Sequence, residues 1–169
     1  MLIPIVDKND TIIGYKERTE ITKSDIYRVA GLWIINSKNE ILLSKRATNK
    51  THNPNQWHIA VAGTVEKDET YLQNILKEAN EELGINVSAT ELTKWPKKFI
   101  ADDWSYFAQI YSYKTDRSIA EFIFDKKEVA DIKWYTKDQL IVDLQLNPLE
   151  FTPSITISLH MYEKFQNSI

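Results

Sequence analysis

The sequence predicts an α/β protein, a mixed β-sheet covered by helices on both faces and preceded by an N-terminal β-hairpin. Three observations predict it. Short β-branched and aromatic runs fill residues 1–62 and recur over residues 106–135, a strongly amphipathic stretch spans residues 72–83 between them, and capped helical segments follow the last strand. A chain of 169 residues suits one domain, so residues 1–169 are read as a single unit.

The elements follow in order. Leu2 to Val6 and Thr11 to Tyr15 are apolar runs separated by Asp7-Lys8-Asn9-Asp10, which favours a turn, so residues 1–20 read as a hairpin extension. Arg28 to Ile35 and Glu40 to Lys45 flank Asn36-Ser37-Lys38-Asn39 as a second hairpin, with Arg46 at its exit. Residues 47–56 are polar, contain Pro54 and read as a loop. Trp57 to Ala62 reads as one buried strand ending at Gly63. Leu72, Ile75, Leu76, Ala79 and Leu83 recur at three and four, the spacing of a helix capped by Asp68 and ended by Gly84. Further strands are expected at Tyr106 to Tyr113, Ile119 to Phe124 and Ile132 to Tyr135. Thr136 and Gln139 form a capping box for a short helix, and Thr152 with Pro153 opens a last one.

Composition narrows the function. A net charge of −3 provides no basic field for a nucleic-acid polymer, so phosphate recognition must come from local cations or bound metal. With no cysteine there is no disulfide, thiolate nucleophile or cysteine zinc site, and the cytoplasm is the simplest expected location. The opening residues lack a basic start followed by a long apolar run, and no stretch approaches a membrane span.

The polar side of the 72–83 stretch carries the chemistry. Glu78, Glu81 and Glu82 lie three and four apart and project from one arc, read as roughly opposite Leu72, Leu76 and Leu83. Crowded like charge is unfavourable in water, and a bound dication reverses it into attraction. From Gly63 the chain reads Gly-x5-Glu69-x7-Lys77-Glu78-Ala79-x-Glu81-Glu82-x-Gly84-Ile85, which resembles the Nudix box over residues 63–85. One position departs: Lys77 stands where that family has arginine. Arg46, Trp57, Glu128 and Trp134, with the order of strands around them, extend the resemblance over most of the chain.

The resemblance implies the Nudix α/β/α sandwich and a hydrolase that cleaves a phosphoanhydride in a nucleoside diphosphate linked to another group. It also implies Mg²⁺ or Mn²⁺ held by Glu78, Glu81 and Glu82 with the Gly63 carbonyl, Glu78 and Glu82 being the essential pair. Glu128 would add a ligand or base, Arg46 would bind phosphate, and Lys77 would pair with Glu81 or Glu82 as a point charge in place of the planar guanidinium. Trp57, Trp104, Tyr106 and Phe107 are candidates to stack on a base, with core packing the commoner role. Glu69 suits a structural role at the helix start. His52 and His58 lack partners at ligand spacing. The loops at residues 47–56 and 93–105 would set specificity, and the hairpin extension is the candidate contact for a homodimer. The chain also looks like the isopentenyl diphosphate isomerase branch, but Ala62 and Thr64 replace that motif's cysteine and histidine, which points away from isomerisation and towards hydrolysis.

Overall fold

Residues 1–168 are described by the structure, a computed structural model. Strands β1 (Leu2–Val6) and β2 (Ile12–Glu17) form the expected antiparallel hairpin. Its turn is held by the Asp7 carboxylate, which accepts the backbone N–H groups of Asn9 and Thr11 at 2.8 and 2.9 Å. Asp10, at a left-handed φ of 63°, accepts Arg28 Nε at 2.6 Å and the Tyr71 hydroxyl at 3.1 Å. The extension is thereby tied both to the main sheet and to the start of the glutamate helix.

The main sheet contains β3 (Ile26–Ile35), β4 (Ile41–Arg46), β5 (Trp57–Ile59), β6 (Val61–Thr64), β7 (Thr93–Lys94), β8 (Lys98–Ala101), β9 (Ser105–Lys114) and β10 (Val129–Tyr135). β3 and β9 run parallel and the remaining pairs antiparallel, so the sheet is mixed. Helices α1 (Tyr71–Leu83), α2 (Lys137–Leu146) and α3 (Pro153–Gln166) cover it. Alternation along β3 sorts the two layers. Ala30, Leu32 and Ile34 pack with Ile75, Ala79 and Leu83 of α1, whereas Trp33 and Ile35 pack with Leu140, Ile155 and Tyr162 of α2 and α3. This is the expected α/β/α sandwich. Among the described residues no helix is long and apolar enough to cross a membrane.

Four local expectations are corrected. Trp57 to Ala62 is not one strand: it breaks at Ala60, so that β5 follows β4 and β6 follows β3. α1 is capped by Thr70, whose hydroxyl accepts the Gln73 N–H at 3.2 Å while the Gln73 side chain accepts the Thr70 N–H at 2.9 Å. That reciprocal pair outcompetes Asp68, which sits earlier in a turn at φ 66°. Ile119 to Phe124 is not a strand, because Ser118 and Glu121 close a capping box around a 3₁₀ turn at Ile119–Glu121 and Ile123 is left exposed. The loop at 93–105 contains β7 and β8, two short strands along β9. Gly84 ends α1 at φ 64°, donating to the carbonyls of Ala79 and Asn80.

Candidate active site

A fork in the sheet makes the cleft. β3 and β4 pair only at Ile34–Leu42 and Ile35–Ile41 and then part. β5 stays with β4, placing Trp57 opposite Lys45, while β6 stays with β3, placing Gly63 opposite Ala30. At the break the Ala60 carbonyl accepts the buried Ser44 hydroxyl at 2.8 Å. The fork opens into a cleft of about 500 Å³. Register gives its depth. Tyr27 and Tyr106 lie side by side on β3 and β9 with rings 5.8 Å apart, Val29 and Ala108 come next, then Gly31 and Ile110. The next inward position on β3 is Trp33, fully buried. α3 closes the side with Ile157 and Met161.

Glu82 is the central carboxylate, and it corrects the expectation that all three glutamates lie opposite the apolar face. Seven residues separate it from Ile75, so at 100° per residue the two share a side of α1. Glu82 is 8% exposed, and its Oε2 is enclosed without a hydrogen-bond partner among the described residues. Burial first, then the charges of Glu78 and Glu128, push its pKa up to about 8. Glu78, half-buried one turn earlier, is pushed up to about 7, chiefly by burial and further by Glu81 and Glu69 against the opposing Lys77. Glu81 stays exposed on the outer side of the helix.

Gly63 is where β6 lets the helix in. A Cβ there would lie 2.5 Å from Glu78 Cγ and 2.6 Å from Glu78 Oε1, so only glycine leaves room for that carboxylate beside the strand. Around the pair stand cations. Arg46, at the end of β4, lines the cleft, donates from Nε to the His52 carbonyl at 3.0 Å, and feels both Glu82 and Glu128; burial lowers its pKa. Lys50 pairs with the Glu128 carboxylate. The structure thus brings Glu78, Glu82, Glu128, Arg46 and Gly63 together.

It takes two residues elsewhere. Lys77 binds Glu66 and Glu69, both at 2.7 Å, rather than Glu81 or Glu82, because the turn before α1 presents those carboxylates to the helix's first half. Glu69 also accepts Asn74 Nδ2 at 2.9 Å, so it locks the helix entry. Trp57 is 7% exposed in the apolar layer, edge-on to Tyr135 with Lys45 over its ring, and does not line the cleft. Trp104 and Tyr106 do line it, whereas Phe107 is buried against Phe99.

Two residues of the site lie outside the expectations drawn from sequence, Arg18 in the cleft wall and Lys50 beside Glu128, and His58, named there only as a non-ligand, takes a wall position. Arg18, just after β2, lines the cleft, and its Nη1 approaches the Met1 sulfur at 3.7 Å. Nothing in a hairpin extension signals that role. Lys50 lies in the polar 47–56 loop without a distinguishing pattern. His58 is a wall residue: Ser44 gives its one proton to the Ala60 carbonyl, so His58 Nε2 donates to Ser44 Oγ at 3.0 Å, and burial holds the ring neutral with a pKa of about 3.

The residues fit a divalent cation. An enclosed, unpartnered carboxylate oxygen on Glu82 beside a second raised carboxylate is costly unless a cation or proton neutralises it. Among the described residues no three carboxylate or histidine side chains already gather as a ligand set, so the arrangement suits an ion shared between one or two carboxylates and a substrate's phosphate oxygens. A stability consequence follows. The folded pKa values of Glu78 and Glu82 lie above the ordinary 4.5, so their contribution is fully present below about 4.5 and is lost as pH rises through about 7 and 8. At roughly 1.4 kcal/mol per pKa unit, the metal-free protein should lose several degrees of Tm between pH 5.5 and 9, and saturating Mg²⁺ should restore them at pH 8. A metal-free Tm that rises across this range, against scanning calorimetry, would refute the assignment.

Residues 26–155 match the NUDIX domain family. A prenyl-diphosphate phosphatase of Methanosarcina mazei is 31% identical over 156 residues, covering 91% of this chain and 90% of that protein. An isopentenyl-diphosphate Delta-isomerase of Clavibacter sepedonicus is 24% identical, covering 94% and 85%. In fold, a crystal structure of a Deinococcus radiodurans protein superposes with a TM-score of 0.80 at 21% identity, covering 95% of this chain and 98% of that one. With a glycine that leaves room for the Glu78 carboxylate, and the family match running through both sides of the sheet fork, the chain belongs to the Nudix hydrolases.

Proposed function

We propose that this Nudix hydrolase is a divalent-metal-dependent enzyme that cleaves the phosphoanhydride of a small organic diphosphate whose organic group is apolar. The observation that carries the reading is the cleft's polarity. Arg18 and Arg46 line it, Arg46 lying in the field of Glu82 and Glu128, while Ile59, Ile110, Ile157 and Met161 give it an apolar wall. A diphosphate head and a hydrocarbon tail match that division, and the M. mazei relative's prenyl-diphosphate phosphatase name supports it.

Members of the family generally use Mg²⁺ or Mn²⁺. Glu78 and Glu82, with the Gly63 carbonyl, would hold the cation, which supplies neutralisation of the diphosphate charge. Arg46 and Arg18 bind phosphate oxygens through their planar guanidinium groups, and Lys50 adds a point charge beside Glu128. Water attacks the terminal phosphorus, the anhydride P–O bond breaks, and its electron pair leaves with the inner phosphate. Glu78 or Glu82, the latter with Glu128 in its field, orients the water and takes its proton. The products are an organic monophosphate and inorganic phosphate. Lys77 acts from a distance, holding Glu66 and Glu69 and so the entry of α1.

A second reading, a nucleoside diphosphate derivative as substrate, rests on Tyr27 and Tyr106, stacked at 28° in the cleft mouth with Trp104 nearby, a surface on which a base can lie. The test is phosphate and monophosphate release from dimethylallyl and geranyl diphosphate, nucleoside diphosphate sugars, dinucleotides and nucleoside triphosphates, with Mg²⁺ or Mn²⁺. Preference for the prenyl compounds supports the first reading. Turnover of nucleotides alone establishes the second, and metal-dependent binding without any turnover overturns both in favour of a sensor.

A further inference from the structure

One residue of the cleft wall also borders a second cavity. Met161 of α3, 8% exposed, lines the cleft beside Ile110 and Ile157, and the same side chain lines a second cavity of about 260 Å³ on its far side. That second cavity has an aromatic floor, Trp95 stacked on Phe165 with ring centroids 5.3 Å apart, and a rim that includes Lys98 and Lys164. Straight inward along β3 the way is shut by Trp33, which is fully buried and stacked on Tyr162 at 5.1 Å. Ile59 covers Gly31, its Cδ1 2.7 Å from where a Cβ would stand, so an apolar chain in the cleft runs along Ile110 and Ile157 to Met161, and Met161 also borders the second, apolar cavity.

We infer that Met161 sets the length of the hydrocarbon chain this enzyme accepts, and that the Trp95–Phe165 cavity is the extension a longer chain enters when Met161 gives way. The proposal rests on the organic-diphosphate reading above. Methionine suits a yielding wall: it is unbranched, turns about three bonds, and fills irregular space at small cost in rotamer energy. A tryptophan such as Trp33, locked between two aromatic rings, cannot yield in the same way. One or two methylenes at such a wall discriminate substrates by about tenfold to a few hundredfold, so the residue governs preference without touching the reacting phosphorus.

The experiment compares kcat/KM for dimethylallyl, geranyl and geranylgeranyl diphosphate, with Mg²⁺, in the unmodified protein, Met161→Ala and Met161→Phe. Met161→Ala joins the two cavities and should move the geranylgeranyl-to-dimethylallyl ratio upward by about tenfold or more. Met161→Phe enlarges the wall and should move the same ratio downward by about tenfold, whatever change the three rates share. The opposed shifts separate a length gate from simple loss of stability, which would lower all three rates together. Turnover of the three substrates with a ratio unchanged in both variants overturns the gate and leaves the organic-diphosphate reading standing. Absence of turnover of all three by the unmodified protein overturns that reading and the gate with it.

Discussion

Glu82→Gln is expected to lose about 10³-fold or more of kcat while making the metal-free protein more stable at pH 8. The opposed signs come from one fact. The Glu82 carboxylate is enclosed, with an oxygen that has no hydrogen-bond partner, and burial pushes its pKa to about 8. A charge in that position opposes folding unless a cation or a proton neutralises it, which is the role proposed for Glu82. Glutamine keeps the shape and removes the charge, so it removes both the cost and the chemistry. The fall of Tm from pH 5.5 to 9 should flatten in the variant, and Mg²⁺ should stabilise it less. Thermal unfolding with and without Mg²⁺, alongside steady-state kinetics, reads all three. A variant that loses activity and also stability at pH 8 would mean that Glu82 is a structural residue.

Gly63→Ala should cost about 10²-fold in activity at a small cost in stability, because the added Cβ collides with a side chain rather than with backbone. It would sit 2.5 Å from Glu78 Cγ, and Glu78 can swing away cheaply. The swing leaves α1 and β6 packed but moves a carboxylate from where the cation and diphosphate meet, and displacements of about 1 Å at such sites cost on the order of 10²-fold. The expected signature is a weakened Mg²⁺ dependence with Tm within a few degrees of the original. A large loss of Tm, with activity per folded molecule retained, would contradict the role given to this glycine.

The hairpins, the α1 periodicity and the box were legible because each depends on residues within one turn or one strand of each other. The capping of α1 is also written in the sequence, in Thr70-x-x-Gln73, but Asp68 is as good a cap in isolation and only the reciprocal pair decides. Ser118-x-x-Glu121 carried the same signal against the β-propensity of Ile119 to Phe124. The position of Glu82 is not legible from Leu72 and Leu76, which are half-exposed in the structure; Ile75 and Ala79 mark the packed face that Glu82 shares. The fork at Ala60 was not legible at all. It is a choice between two partners, β4 and β3, for one continuous apolar run, and that choice is made by long-range pairing. Since the fork makes the cleft, Arg18, Lys50, His58 and Met161 could not be placed without it.

The most direct measurement incubates the protein with geranyl diphosphate and Mg²⁺ in ¹⁸O-labelled water and identifies the products. The account predicts geranyl phosphate and inorganic phosphate in equal amounts, the label in the inorganic phosphate, no reaction without a divalent cation, and no reaction above about a thousandth of the rate in Glu82→Gln. Release of intact diphosphate with the label on carbon, or turnover that survives removal of the metal, would contradict it.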